Sequence, residues 1–152
     1  MFKKILIANR GEIAVRIIRA CKEMGIKTVA IYSTADESAL HRELATEAYC
    51  VGGPSSSDSY LNMENILSIA CLTGCDAIHP GFGFLSESPI FASMVEKCGI
   101  TWIGPNHTVM DQMGNKSMAI SMMKEAGVPI VPGSYKAVGL EEGKEIAIKI
   151  GF

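Results

Sequence analysis

The segment 77–87 contains the residue types best suited to expose backbone groups to a ligand. An apolar stretch ends at His79 and Pro80, and Gly81 and Gly83 then stand on either side of one aromatic residue. In open α/β sheets, ligands bind beyond the carboxyl ends of the strands, so this glycine-rich turn predicts a binding loop. The alternative is a tight turn that only reverses the direction of the chain.

Lys116 is a second candidate for ligand binding. It follows Gly114 and Asn115 at the predicted start of a helix. The amide dipoles of a helix N-terminus and a nearby ammonium group together favour a bound phosphate. A solvated surface lysine is the alternative.

The turn at 8–14 lies where a dinucleotide-binding fold would carry the fingerprint G-x-G-x-x-G. Only Gly11 is present, and the acidic residue expected about 20 residues further on is missing, since residues 32–34 are uncharged. The turn therefore does not favour classical NAD binding. A tight structural turn, with Glu12 complementing the helix dipole, is the simpler interpretation.

The sequence contains no set of residues with the spacing expected of a catalytic triad or a metal site. His79 has no partner at the spacing of a triad or a metal shell, and we expect it to organise its turn by hydrogen bonding. The five cysteines are odd in number and widely spaced, which predicts neither a disulfide framework nor a zinc site. This cysteine usage fits a reducing cytoplasm. The sequence therefore assigns no catalytic residue and no metal ligand.

The composition is that of an ordinary globular protein. Hydrophobic residues make up 48% of the 152 residues, and the formal net charge is -2. Such a chain can bury a single core without disulfides, and its charge gives no basic surface for nucleic acid. The apolar run near the amino terminus ends before Arg10, so neither a secretory signal nor a membrane span is predicted.

The hydrophobic pattern predicts a doubly wound α/β fold with a mostly parallel sheet. Strands are predicted at 4–8, 28–32, 49–51, 76–79 and 101–103. Helices are predicted at 12–24, 40–46, 63–73, 89–98, 116–126 and 140–150, with a short one after Asn106. Ser88 and Pro89 form a typical N-cap and first-turn pair.

The first predicted helix has one apolar and one charged face. The apolar face is predicted to contain Ile13, Ile17, Cys21 and Met24. The charged face carries two oppositely charged pairs four residues apart, Glu12 with Arg16 and Arg19 with Glu23. A solvated face is the simpler interpretation of these pairs, and a protein contact is the alternative.

The pattern changes after Pro105, where Asn106 is a predicted helix cap and methionine-rich helical segments follow. This change predicts that a second domain begins there. The last helix is followed only by Gly151 and Phe152, where a further strand is expected. We therefore expect the sequence to be the front part of a longer protein.

Several ordered motifs together resemble the N-terminal region of the biotin carboxylases. They are KILIANRGEIA at 4–14, DSYLN at 58–62, AIHPGFGFLSE at 77–87, IGP at 103–105, MGNK at 113–116 and GVP at 127–129. The resemblance extends over essentially the whole chain. The short leader before the first strand is most similar to the free-standing bacterial subunit of acetyl-CoA carboxylase, although pyruvate carboxylase and other acyl-CoA carboxylases share the motifs.

The resemblance implies an ATP-grasp enzyme that activates bicarbonate with ATP and then carboxylates biotin on a partner protein. ATP, Mg²⁺ or Mn²⁺, and biotin are the implied cofactors of the parent enzyme. The implied partners are a biotin carboxyl carrier protein, carboxyltransferase subunits and a second copy in a homodimer, without nucleic acid or membrane. The implied role is the first half-reaction of acetyl-CoA carboxylase, which feeds fatty-acid synthesis in the cytoplasm.

The resemblance also implies two domains. Residues 1–114 correspond to a Rossmann-like pre-ATP-grasp domain, and residues 115–152 correspond to the truncated beginning of an ATP-grasp domain. The family's phosphate loop, its magnesium-binding carboxylates and its base and arginine lie beyond Phe152. The fragment alone is therefore expected to be inactive and to bind none of the cofactors tightly.

Roles for single residues follow from the resemblance, position by position. Lys116 corresponds to the family's phosphate-contacting lysine, and hence to ATP binding. Phe82 and Gly83 correspond to the loop that lines the biotin pocket, where the family often has tyrosine in place of Phe82. Any hydrogen bond from that tyrosine hydroxyl is absent here, whereas the phenylalanine ring can still stack on biotin. Glu87 lies near the active-site side of the same loop.

Arg19 and Glu23 correspond to positions that meet the other subunit in the family's dimer, which favours a protein contact for that helix face. One alternative function is a non-catalytic dimerisation module that binds no nucleotide. A weaker alternative is a dinucleotide-binding Rossmann domain, which would bind NAD.

Overall fold

The chain is described by a computed structural model that covers residues 1–134 and 137–151. It divides into two compact units, Met1–Met110 and Asp111–Phe152. The assignment of 1–114 and 115–152 to two family domains stays a prediction.

The first unit contains a five-stranded parallel sheet with the strand order β3-β2-β1-β4-β5. The strands are β1 Lys4–Ile7, β2 Lys27–Ser33, β3 Glu47–Gly52, β4 Ala77–His79 and β5 Thr101–Trp102. In register, Leu6 of β1 lies between Val29 of β2 and Ile78 of β4. The predicted α/β fold with a parallel sheet is confirmed.

Helices connect the strands and continue into the second unit. They are α1 Gly11–Glu23, α2 Leu40–Leu44, α3 Met63–Leu72, α4 Pro89–Lys97, α5 His107–Gly114, α6 Lys116–Glu125 and α7 Leu140–Ile150. The predicted cap of α4 is confirmed, since the Ser88 hydroxyl accepts the Phe91 backbone N–H at 3.2 Å. Asn62 caps α3 in the same way.

The sheet is covered on both faces, because successive side chains of a strand point to opposite sides. Leu6, Val29 and Ile78 pack into one core together with α3 and α4. Ile5 and Ile7 pack into a second core, on the other face, together with α1. This is the doubly wound arrangement that the sequence predicts.

The apolar face predicted for α1 is partly wrong. Ala14, Val15, Ile18 and Cys21 are its buried residues. Ile13 and Ile17 are only half-buried, at the margin of this stripe, and Met24 lies beyond the helix end with 60% of its surface exposed. Small Ala14 and Val15 allow the helix to approach the sheet closely, so the buried stripe is rotated from the predicted one by about one residue, or roughly 100°.

Candidate functional site

The predicted binding loop lies at the point where the sheet topology reverses. β1 pairs with β2 on one side and with β4 on the other, so the carboxyl ends of β1 and β4 are neighbours. The Ala8 backbone N–H donates to the His79 carbonyl at 2.9 Å and continues this pairing beyond β1. In open α/β sheets the ligand crevice lies at such a reversal. We call residues 80–87 the glycine loop.

Asn9 joins the end of β1 to the glycine loop. Its Nδ2 group donates to the Pro80 carbonyl at 2.8 Å and to the Phe82 carbonyl at 2.9 Å. Its Oδ1 atom accepts the Arg10 backbone N–H at 2.9 Å. The side chain is buried, with 3% of its surface exposed, and every one of these bonds satisfies a polar group that would otherwise be costly to bury.

Gly81 and Gly83 have backbone conformations that L side chains rarely adopt. Gly81 has φ +66°, and a Cβ atom there would lie 2.7 Å from Nδ2 of Asn9 and 2.8 Å from Cγ2 of Ile13. Gly83 has φ 70° and ψ -166°, a region that is essentially restricted to glycine. Both glycines are therefore required by the shape of the loop.

His79 organises the turn, as predicted. The Gly81 backbone N–H donates to its Nδ1 atom at 3.0 Å, so the neutral ring carries its proton on Nε2. Burial lowers the pKa of His79, which favours this neutral form. The ring can therefore accept the Gly81 bond at neutral pH.

The glycine loop presents one aromatic ring to solvent and anchors another residue inside. Phe82 is 74% exposed, and Glu87 is also exposed. Leu85 is buried in the core on the α3 and α4 side of the sheet. Phe84 has φ 46°, unusual for a residue other than glycine, and its ring centre lies 5.3 Å from that of Tyr60. The exposed Phe82 is thus held on an anchored loop.

A polar cluster that sequence reasoning missed lies beside the loop. The Asp36 carboxylate accepts hydrogen bonds from the Tyr60 hydroxyl at 2.6 Å, from the Ser33 hydroxyl at 3.1 Å and from the Arg10 guanidinium at 3.0 Å. The Arg10 guanidinium also lies 5.5 Å from the centre of the Tyr60 ring. No local pattern marks this cluster, because Arg10 and Tyr60 lie 26 and 24 positions from Asp36 in the sequence.

The cluster shifts the pKa values of its members. Burial acts to raise the pKa of Asp36, but the bonds from Tyr60 and Ser33 and the charge of Arg10 outweigh it and hold that pKa below its usual range. Burial, assisted by the bond to Asp36, raises the pKa of Tyr60 to about 12. Asp36 therefore stays ionised and Tyr60 stays protonated at neutral pH, as their hydrogen bond requires.

Lys116 lies in the second unit, at the first position of α6, and is exposed. The side chain of Asn115 caps this helix by accepting the Ser117 and Met118 backbone N–H groups at 3.1 and 3.2 Å. Because this cap already uses two amide donors, the ammonium group of Lys116 is the main feature that could attract a phosphate here.

Arg19 and Glu23 lie in the carboxyl-terminal half of α1, and both are exposed. Ile13 of the same helix contacts the glycine loop region through Gly81, and with a rise of 1.5 Å per residue the two charged residues lie about 9 and 15 Å further along the axis. They therefore form a surface separate from the loop. Of the two predicted pairs on this helix, Glu12 and Arg16 approach to 3.7 Å.

Metal-binding groups do not cluster in the described part of the chain. Across residues 1–134 and 137–151, no three His, Cys, Asp or Glu side chains lie together as they would around a metal ion. No helix within residues 1–134 and 137–151 has the length and apolar character needed to cross a membrane.

The sequence of this chain matches a known protein family over most of its length. The family described as biotin carboxylase, N-terminal domain, matches residues 1–110. The chain is 56% identical to biotin carboxylase 1 of Bacillus subtilis, over 100% of this chain and 34% of that protein. It is 50% identical to one of the pyruvate carboxylase subunits of Methanothermobacter thermautotrophicus, over 100% of this chain and 31% of that protein. The chain thus spans about a third of the length of the curated relatives it matches.

The structure is similar to solved structures of the same kind. One is a crystal structure of the biotin carboxylase domain dimer of 2-oxoglutarate carboxylase from Hydrogenobacter thermophilus, in complex with MgADP, ADP and bicarbonate. The TM-score is 0.91 and the sequence identity 52%, over 100% of this chain and 34% of that one.

Proposed function

The chain belongs to the biotin carboxylase family by its N-terminal domain, and on this premise we propose that it is the amino-terminal part of an ATP-dependent biotin carboxylase. The complete enzyme uses MgATP and bicarbonate to carboxylate biotin carried on a biotin carboxyl carrier protein. The chain alone contains only part of the active site of that enzyme and is inactive without the rest of it.

The observation that carries the proposal is the exposed Phe82 ring on the glycine loop at the reversal of the sheet. An aromatic face offers apolar area against which the fused rings of biotin can pack, and burial of apolar area contributes about 25 cal/mol per Å². A Cβ atom on Gly83 would have no atom of the described residues within 4 Å apart from its chain neighbours, so open space adjoins the backbone there. A ligand can therefore approach both the ring of Phe82 and the backbone of Gly83.

Lys116 and Glu87 have separate roles in this proposal. Lys116 contacts a phosphate of ATP through its ammonium group, at the capped start of α6. Glu87 ends the short 3₁₀ segment Phe84–Glu87 and faces solvent on the active-site side of the glycine loop. Residues 115–152 belong to an ATP-grasp domain, and residues 1–114 form the preceding domain.

Arg19 and Glu23 contact the second protomer of a homodimer in this proposal. Their exposure on α1, about 9 Å or more from the residue that touches the glycine loop, supports a role in assembly over a role in chemistry. The Hydrogenobacter protein, similar over the whole of this chain, is a dimer in its crystal structure.

Among biotin-dependent enzymes, we propose the biotin carboxylase component of a cytoplasmic acetyl-CoA carboxylase, acting with carboxyltransferase subunits in fatty-acid synthesis. The second candidate is a pyruvate carboxylase, because one component of such an enzyme is 50% identical to this chain. Reconstitution of the full-length enzyme with a biotinylated carrier and each carboxyltransferase separates the two. Carboxyl transfer to pyruvate and not to acetyl-CoA would select the second candidate.

The proposed chemistry is tested by biotin-dependent ATP cleavage in the full-length enzyme. Phe82→Ala is expected to raise KM for biotin by about 10-fold, corresponding to about 1.4 kcal/mol of lost apolar contact. Lys116→Met is expected to raise KM for ATP by about 10-fold or more, roughly the value of a charge-assisted bond. Lys22→Met, on an exposed lysine of α1, is the matched control. Unchanged KM values in both site variants would overturn the proposal.

A further inference from the structure

We infer that Asn9 is a positioning residue for biotin: its carboxamide fixes the conformation of the glycine loop and thereby the direction in which Phe82 faces the ligand. The inference rests on the proposed role of Phe82. Asn9 itself is buried, and the 3% of its surface that is exposed is too little for a ligand contact.

The two donor bonds of Asn9 hold the peptide groups on both sides of the segment Gly81–Phe82. One N–H of Nδ2 binds the Pro80 carbonyl at 2.8 Å, and the other binds the Phe82 carbonyl at 2.9 Å. The two N–H groups of a carboxamide have a fixed angle in one plane. The two carbonyl groups therefore cannot rotate independently while both bonds persist, although glycine at position 81 leaves the backbone there unusually free.

The orientation of the Asn9 carboxamide is itself determined by the backbone. Its Oδ1 atom accepts the Arg10 N–H at 2.9 Å. A flipped amide would direct its oxygen at two carbonyl oxygens and its NH₂ group at an N–H donor, losing all three bonds. Only one orientation satisfies every buried group, so Asn9 is a rigid support for the loop.

The residue that follows Asn9 supports a second position in the loop, Phe84. Arg10 binds Asp36, Asp36 accepts the Tyr60 hydroxyl, and the Tyr60 ring lies 5.3 Å from that of Phe84. Phe82 is thus held directly by Asn9 through its carbonyl group, and Phe84, two residues further on, is supported through Arg10. Both restraints originate from the turn between β1 and α1.

The test is Asn9→Asp in the full-length enzyme, because aspartate has nearly the same shape but no N–H donor. The matched control is Asn65→Asp, since Asn65 Nδ2 donates a 3.1 Å bond to the Val51 carbonyl, away from the loop. Asn9→Ser, which removes the donors without adding a charge, replaces Asn9→Asp if that variant does not fold. The readouts are KM and kcat with free biotin, KM for ATP, and amide hydrogen exchange of residues 81–87.

Asn9→Asp is expected to raise KM for biotin by about 10-fold, the equivalent of two ordinary hydrogen bonds, and to accelerate exchange in the glycine loop. KM for ATP should change by less than about 2-fold, and Asn65→Asp should change neither biotin KM nor loop exchange. A purely structural role would lower activity without this selective effect on biotin.

Phe82→Ala, measured beside these variants, separates the inference from the proposed function. If Phe82→Ala raises KM for biotin and Asn9→Asp does not, the positioning role of Asn9 is overturned while the proposed function stands. If Phe82→Ala leaves KM for biotin unchanged, the proposed biotin site fails, and with it the role of Asn9 in biotin binding. A raised KM for biotin in both variants, with faster exchange only in Asn9→Asp, supports the inference.

Discussion

The Tyr60 hydroxyl donates a 2.6 Å hydrogen bond to the Asp36 carboxylate and accepts the Ser33 backbone N–H at 3.0 Å. This one buried oxygen ties the segment before α3 to the carboxyl end of β2. The Tyr60 ring also supports Phe84 in the glycine loop. Tyr60 therefore connects the carboxyl end of β2, Asp36 and the glycine loop next to the candidate site.

Removal of that hydroxyl tests its importance. Tyr60→Phe leaves the Ser33 N–H without its acceptor and removes one donor from Asp36, so we expect the free energy of unfolding to fall by about 1–3 kcal/mol. Urea denaturation measures this change. Tyr49→Phe is the control, because the Tyr49 hydroxyl makes an exposed 3.1 Å bond to Glu47, and its loss should cost less than about 0.5 kcal/mol. Equal losses in both variants would contradict the structural role of Tyr60.

Local patterns in the sequence predict most of the fold. The strands of the sheet are short apolar runs between helices that end at glycines such as Gly25, Gly74 and Gly99, and these signals act over a few residues. The buried face of α1 was predicted incorrectly. The sequence pattern places Ile17 against the sheet, but in the structure Ala14 is buried there, and this difference depends on how closely the helix packs and not on a local pattern.

The candidate site is less predictable than the fold. The glycine loop is visible in the sequence, since proline and glycine mark it locally. The supports of the loop are not, because Asn9 and Phe82 are separated by 73 positions and Asp36 and Tyr60 by 24. A polar asparagine directly after an apolar strand was the only signal for the first pair. The proposed ATP contact, Lys116, depends on resemblance more than on local chemistry.

His41 makes stability dependent on pH. It is fully buried, and its Nε2 atom bonds the Ile31 carbonyl at 3.1 Å, while Nδ1 has no hydrogen-bond partner among residues 1–134 and 137–151. Burial lowers the pKa of His41, against the bond to Ile31 and the charge of Asp36, while the charge of Arg10 lowers it further. The unfolded chain then binds the proton more readily, so the free energy of unfolding should be highest above about pH 6.5 and should decrease as the pH falls below it.

The measurement is the slope of the free energy of unfolding between pH 7 and 5 (about the range in which histidine titrates). His41→Gln removes the titrating group and should flatten that slope, even if its overall stability is lower. His107→Gln is the control, since His107 lies at the surface in contact with Glu96. A slope that is unchanged in His41→Gln would rule out His41 as a source of the pH dependence, leaving His79, whose pKa burial also lowers.

The cysteines should differ sharply in reactivity. Cys50, Cys71 and Cys98 are exposed, whereas Cys21 and Cys75 are buried. Burial raises the pKa of both buried thiols, and desolvation together with the neighbouring Cys98 also raises the pKa of Cys71, which should make it slower than a fully solvated thiol. Since the thiolate is the reactive form, we expect three thiols to react quickly with a disulfide reagent in the native protein and two only on unfolding. Cys50→Ser should remove one fast equivalent and Cys75→Ser none. Five fast equivalents would show that the two cores are open to solvent.

Gly81 is expected to tolerate a side chain less well than a glycine with the same backbone angle. Gly74 also has φ +66°, but a Cβ atom there would meet no other atom within 4 Å, whereas at Gly81 it would lie 2.7 Å from the Asn9 side chain. Gly74→Ala should therefore cost only the left-handed backbone penalty, about 1–2 kcal/mol. Gly81→Ala should cost about 1–3 kcal/mol more, because it also displaces the buried carboxamide of Asn9. Thermal and urea denaturation of the two variants measure this difference directly. Equal destabilisation would mean that Asn9 can move away without loss, and that the contact between Asn9 and the loop is not rigid.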